Sequence, residues 1–154
     1  MPGATELLHG TCVALGRSAA LLRGPSGSGK SDLALRFLFL ARRGPAAVSA
    51  PTLVADDQVC LRCEGTRLMV SAPEAIRGKI EVRGLGIIAA KHVVEAELAL
   101  IVELTAEEGE RLPERTETAR LLGIEVPRVR LTPWHASAPI KLALALAAAA
   151  GSHG

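Results

Sequence analysis

Along most of the chain the apolar residues fall in short runs or alternate with polar ones, and only two stretches carry them at helical spacing. "TCVAL" at 11–15 and "SAALL" at 18–22 are strand-length runs separated by the turn pair Gly16-Arg17, so they predict two strands. "SDLALRFLFLAR" has apolar positions at i, i+3 and i+4 and predicts a helix from Ser31 to about Arg42, stopped by Gly44-Pro45. A strand is expected at 52–56, followed by a hairpin of strands 58–63 and 66–71 around Glu64-Gly65-Thr66. "KIEVRGLGIIAA", 79–90, reads as a strand broken by Gly84 and Gly86, whereas "ELALIVEL", 97–104, contains no Gly or Pro to break it. The charged, Pro-interrupted stretch 106–120 predicts a loop or an exposed short helix, and 124–131 a further strand. The C-terminal helix is expected over 138–149, with Pro139 in its first turn. Strands interleaved with flanking helices predict an α/β fold.

Composition narrows the class. The 154 residues suit one domain, 1–154, and 49% hydrophobic against 22% charged residues is a globular balance. The net charge is only +2, and the basic residues lie scattered among 16 acids with no run that would mark a nucleic-acid or membrane tail. Aromatic residues are confined to Phe37, Phe39 and Trp134, too few for a surface that stacks single-stranded bases. "LALALAAAA" at 142–150 is roughly half a membrane span and reads as a buried helix. "MPGATELLHGTCVALGRS" lacks the basic start, long apolar stretch and cleavage site of a secretory signal, so a cytoplasmic location is expected. Three cysteines in such a chain are expected to be free thiols. Cys60 and Cys63, with His9 and Cys12, could be drawn as a zinc site. Strand residues three apart point to opposite faces, however, and structural zinc sites present their ligands on knuckles or turns.

"GPSGSGKS", Gly24-Pro25-Ser26-Gly27-Ser28-Gly29-Lys30-Ser31, matches G-x-x-x-x-G-K-[ST] between an expected strand and an expected helix. Glycines let the backbone N–H groups approach phosphate oxygens at the positive end of the helix. Lys30 is placed to reach the β and γ phosphates, and the Ser31 hydroxyl to ligate Mg²⁺. Asp56-Asp57 stands 24 residues beyond Ser31, far enough for a helix, a loop and a returning strand. Acids at a strand's carboxyl end face the phosphates in open α/β sheets. Neighbouring strand residues point to opposite faces, so the second Asp is either turned to solvent or bent inward for a separate task.

His9-Gly10, "GPSGSGKS", "LVADDQV" and "IEVRGLGI" (Ile80 to Ile87) occur in an order that resembles the HPr kinase/phosphorylase family. The resemblance covers roughly residues 9 to 104 and implies a P-loop domain related to the phosphoenolpyruvate carboxykinase-like kinases, with a mixed sheet, β-hairpins and flanking helices. It implies an ATP- and Mg²⁺-dependent protein-serine kinase acting on HPr, the phosphocarrier of the sugar phosphotransferase system, with reverse phosphorolysis as a family activity. By the same resemblance Asp56 is the general base on the acceptor serine, and Asp57 lies near Mg²⁺ and phosphate. Glu81 and Ser31 help hold the metal, while Arg83 and His9 lie by the transferring phosphate. Long members carry an N-terminal domain and a late Gly-Arg-Asn loop. This chain, which has no Asn, resembles the short, catalytic-domain-only form without an N-terminal regulatory domain. A homo-oligomer, hexameric in the family, is also implied.

Two other readings are consistent with the loop. A small-molecule P-loop kinase would use an Arg-rich lid, for which Arg111, Arg115 and Arg120 are the available residues. A nucleotide-binding regulatory module would keep the loop without phosphotransfer. A guanine-reading switch of the common kind needs an Asn that the chain does not contain.

Overall fold

A computed structural model of the chain describes residues 3–40, 50–106 and 117–151. The strands are β1 (Thr5–His9), β2 (Thr11–Leu15), β3 (Ser18–Arg23), β4 (Pro51–Ala55), β5 (Gln58–Glu64), β6 (Arg67–Ser71), β7 (Lys79–Val82), β8 (Gly86–Ala89), β9 (Glu95–Leu104), β10 (Glu117–Leu121) and β11 (Ile124–Leu131). Among the described residues two α-helices accompany them, α1 (Lys30–Leu38) and α2 (Ala138–Gly151), with a 3₁₀ turn at Glu74–Ile76. Among the described residues β1–β6 and β9–β11 form one sheet in the order β1-β5-β6-β9-β3-β2-β4. The β10–β11 hairpin is attached through β11 to β9, and β7 and β8 form a separate hairpin.

The centre of the sheet is β9, ten residues without Gly or Pro and mostly buried. It runs parallel to β3 on one side. Its other edge is shared, with β6 antiparallel to Glu95–Glu97 and β11 parallel to Ile101–Leu104. Pairing with β3 slips between Ala19↔Leu98 and Ala20↔Leu100, leaving Ala99 as an extra residue. Such a bulge changes which face each later side chain points to. Ala96 and Leu98 accordingly pack with Ile101 on one face, while Leu100, Val102 and Leu104 pack on the other.

These two faces hold two apolar cores. One joins Phe37 and Leu33 of α1 and Leu142 and Leu146 of α2 to Val13, Leu22, Leu53 and Val102. The other is closed mainly by strands, because the sheet curls and brings Val59, Leu61, Leu68, Val70, Leu121 and Val126 against Leu21 and Val54, with Ile76 of the 3₁₀ turn at its margin. Hence both helices lie on one face.

The expected strands at 11–15, 18–22, 52–56, 97–104 and 124–131, the hairpin 58–63/66–71 and the helix 138–149 are all present within a residue or two. Three readings need correction. Residues 5–9 form β1, a strand not expected from the sequence, because "TELLH" is exposed apart from Leu8 and acquires its order by pairing with β5. Residues 117–121 are strand rather than loop or helix, since "ETARL" pairs with β11 around Leu122-Gly123; residues 107–116 lie outside the described set. The first helix begins at Lys30 and is capped at Phe39, whose N–H bonds to Leu35 O, short of the expected Arg42. Gly84 and Gly86, with φ of 87° and 97°, turn "KIEVRGLGIIAA" into the β7–β8 hairpin. No helix among the described residues is long and apolar enough to cross a membrane.

Candidate functional site

β2 is antiparallel to both β3 and β4, so β3 and β4 run parallel with β2 between them. The carboxyl ends of β3 and β4 and the amino end of β2 therefore meet at one edge of the sheet. Residues 24–31, residues 56–57 and Thr11 converge there. The expected β-α-β unit is present, with an antiparallel strand interposed.

The loop leaves β3 at Arg23, whose guanidinium is paired with Glu103 of the neighbouring β9. Ser28 N–H donates to Pro25 O at 3.0 Å, closing a turn, and Gly27 has φ of 81°. Gly29 caps α1 in the left-handed region at φ 97°, and a Cβ there would meet Trp134 and Pro133 at 3.0–3.2 Å. Glycine is thus required at 29 both by backbone conformation and by space. Lys30, in the first turn of α1, is buried and its Nζ donates to the carbonyls of Gly24 (2.5 Å) and Pro25 (3.0 Å). The ammonium lies across the loop at the positive end of the helix, the position that favours an anion.

The two aspartates part company at the end of β4. Asp56 is only 8% exposed, and its carboxylate accepts hydrogen bonds from Ser31 Oγ (2.7 Å), Thr11 Oγ1 (3.1 Å) and the Glu81 backbone N–H (3.1 Å). Gln58 N–H donates to Asp56 O at 2.9 Å, closing a three-residue turn with Asp57 at its centre in the left-handed region, φ 74°. Asp is among the few non-glycine residues that tolerate this region, and such outliers concentrate at functional sites. The turn swings Asp57 outward, with its side chain 70% exposed and Oδ1 3.4 Å from His9 Nδ1. Gly10 N–H bonds to Asp57 O at 3.0 Å, which ties the end of β1 to this turn.

Lys30, Ser31, Asp56, Asp57 and His9 are thus brought together. Glu81 joins through its backbone N–H, while its carboxylate and Arg83 lie exposed on the β7–β8 hairpin outside the hydrogen-bonded group. Sequence reading missed Thr11, Arg36 and Trp134. Thr11 follows His9-Gly10 directly, but only the placement of β2 between β3 and β4 brings its hydroxyl to Asp56. Arg36 donates from Nη1 to His135 O (3.2 Å) and from Nη2 to Pro133 O, spanning about a hundred residues of sequence that no local signal connects.

A strand feeding a glycine-rich loop, a helix opening on that loop and an acid at a nearby strand end make a mixed α/β domain whose loop suits an anion. Residues 3–149 match the family model described as "HPr Serine kinase C-terminal domain", and the chain belongs to that family. Among curated relatives, the HPr kinase/phosphorylase of Caldicellulosiruptor bescii is 38% identical over 131 residues, covering 77% of this chain and 39% of that protein. That of Chlorobium luteolum is also 38% identical, over 136 residues, covering 80% and 38% respectively. The chain therefore spans about two fifths of the length of the curated relatives it matches. The solved structure of the Hpr(Ser) kinase/phosphatase from Coxiella burnetii superimposes with a TM-score of 0.74 at 26% identity, covering 97% of this chain and 99% of that one. The mixed sheet with flanking helices is the fold shared with that structure.

Proposed function

We propose that this chain is a protein-serine kinase that transfers the γ-phosphoryl group of ATP to a serine of HPr or an HPr-like phosphocarrier. The observation that carries the reading is the Ser31–Asp56 hydrogen bond at the mouth of the glycine loop, with a second, exposed aspartate beside it. The relatives' names supply the acceptor.

The residues present fit a magnesium ion. Ser31 Oγ and Asp56 Oδ1 are hard oxygen donors 2.7 Å apart, of the kind that Mg²⁺ prefers, and Glu81, whose backbone N–H bonds to Asp56, carries an exposed carboxylate as a further oxygen group. When bound, the ion would neutralise charge on the phosphates. Lys30 and the loop N–H groups hold the phosphates and offset their charge. Asp57 faces solvent, where a protein hydroxyl can reach it, and takes that proton, while His9 orients its carboxylate. This division reverses the expected one, which made Asp56 the base and put Asp57 near the metal. What supports the reversal is burial: Asp56 is only 8% exposed and engaged by three donors, whereas the Asp57 side chain is open to solvent. Arg83, exposed on the hairpin, is left for the acceptor side of the transferring phosphate. A cytoplasmic location and a homo-oligomeric state go with this reading.

Incubation with purified HPr, ATP and Mg²⁺, followed by mass spectrometry of HPr, tests it. One added phosphate on an HPr serine is expected, and Lys30→Ala should reduce it to background. Unmodified HPr alongside tight ATP binding would instead favour the regulatory module.

A further inference from the structure

Trp134 lies on the segment between β11 and α2, and this segment is held from three sides. Thr105 N–H donates to Leu131 O at 3.0 Å, which fixes its start. Ala138 N–H donates to His135 O at 3.0 Å, which closes the turn into α2. Arg36 of α1, itself bonded to Asp32 at 3.0 Å, donates to the carbonyls of Pro133 and His135 between them. The segment is thereby tied to the helix that opens on the phosphate-binding loop. Pro133 and an edge atom of the Trp134 ring lie within 3.0–3.2 Å of where a Cβ on Gly29 would stand. Trp134 as a whole remains 59% exposed. A buttress for the loop would be buried like Phe37. A largely exposed ring on an anchored backbone segment, with one edge against the loop, suits a flat ligand group.

We propose that the exposed ring of Trp134 is the stacking platform for the base of the nucleotide whose phosphates are held by residues 24–31, with Arg36 as its positioning residue. This rests on the nucleotide reading above and adds to it the group that holds the base. Every base offers a π-face, and an aromatic residue beside the phosphate site fits one without any hydrogen-bond code.

Trp134 is the sole tryptophan, so its fluorescence reports the contact directly. ATP should quench the emission of the full chain, whereas inorganic tripolyphosphate, which has phosphates but no base, should bind without comparable quenching. Trp134→Ala should weaken ATP binding by roughly five- to a hundred-fold and leave the calorimetric affinity for tripolyphosphate unchanged, which also shows that the variant is folded. Trp134→Phe should restore most of the ATP affinity. Arg36→Ala should weaken ATP more than tripolyphosphate. If wild type binds tripolyphosphate and Trp134→Ala binds ATP as tightly as wild type does, the platform is wrong while the phosphate site stands. If Trp134→Ala loses both ligands equally, the ring supports the loop and not the base. If wild type binds neither, the nucleotide reading falls and the platform falls with it.

Discussion

Asp56 and Asp57 are chemically identical neighbours, and the difference between them arises from a single backbone torsion. With Asp57 at φ 74° the chain folds back on itself, leaving one carboxylate among donors and the other in solvent. The two should therefore respond differently to the same substitution. In Asp56→Asn the new amide group must face either the Ser31 and Thr11 hydroxyls or the Glu81 N–H, and in the latter case two donors meet. A loss of stability of about 1–3 kcal/mol is expected, together with weaker Mg²⁺-dependent nucleotide binding. Asp57→Asn should unfold within about 0.5 kcal/mol of wild type. It should bind nucleotide normally and slow phosphoryl transfer by roughly 10²- to 10⁴-fold. Calorimetric unfolding beside single-turnover kinetics separates the two, and a stable, inactive Asp56→Asn with an active Asp57→Asn would return the base to Asp56.

At the scale of the element, "LALALA" in α2 shows how packing discriminates between residues that look equivalent in sequence. Leu142, Leu144 and Leu146 alternate with alanine, a period of two that suits a strand as well as a helix. In the helix, positions 142 and 146 fall on one face and 144 on the other. Leu142 and Leu146 are buried against the helical core, while Leu144 is exposed. Leu146→Ala should cost about 2–5 kcal/mol because a cavity is left beneath the helix. Leu144→Ala should change stability by about 0.5 kcal/mol or less. Chemical denaturation of both reads the contrast, and equal losses would mean that the helix is turned or is covered on its outer face. The same logic explains β1 and β10. Neither "TELLH" nor "ETARL" carries a convincing apolar alternation, and each becomes a strand because a partner's edge offers it hydrogen bonds.

The curled sheet encloses a core lined by strands on the side away from the helices, and Cys12 sits inside it. Burial there pushes its thiol well above the ordinary cysteine range, so the thiolate needed for reaction is suppressed at neutral and mildly alkaline pH. Cys60 and Cys63 on β5 are partly exposed. A thiol reagent at pH 8 should label two cysteines of the native protein rapidly and the third only on unfolding. Rapid labelling of all three would show that the closed side of the sheet opens readily.

Sequence alone settled what depends on short stretches of chain. The glycine loop, the aspartate pair and the "IEVRGLGI" segment were legible as motifs because backbone conformation and phosphate chemistry restrict which residues work at such spacings; most strands and the first helix were legible from periodicity, and the second helix from its long apolar run behind Pro139. The α/β class and the family followed from these. Tertiary structure decided the rest: that β2 lies between β3 and β4 and brings Thr11 to Asp56, that Ala99 bulges and switches the faces of β9, and that Arg36 ties Trp134 to the loop. Each of these joins residues far apart in sequence, and their pairing is set by which strand edges and apolar faces find one another when the sheet closes. The Asp pair shows the boundary most clearly, since the sequence placed both acids at the site and only the turn held by Gln58 and Gly10 decided which one meets the loop serine.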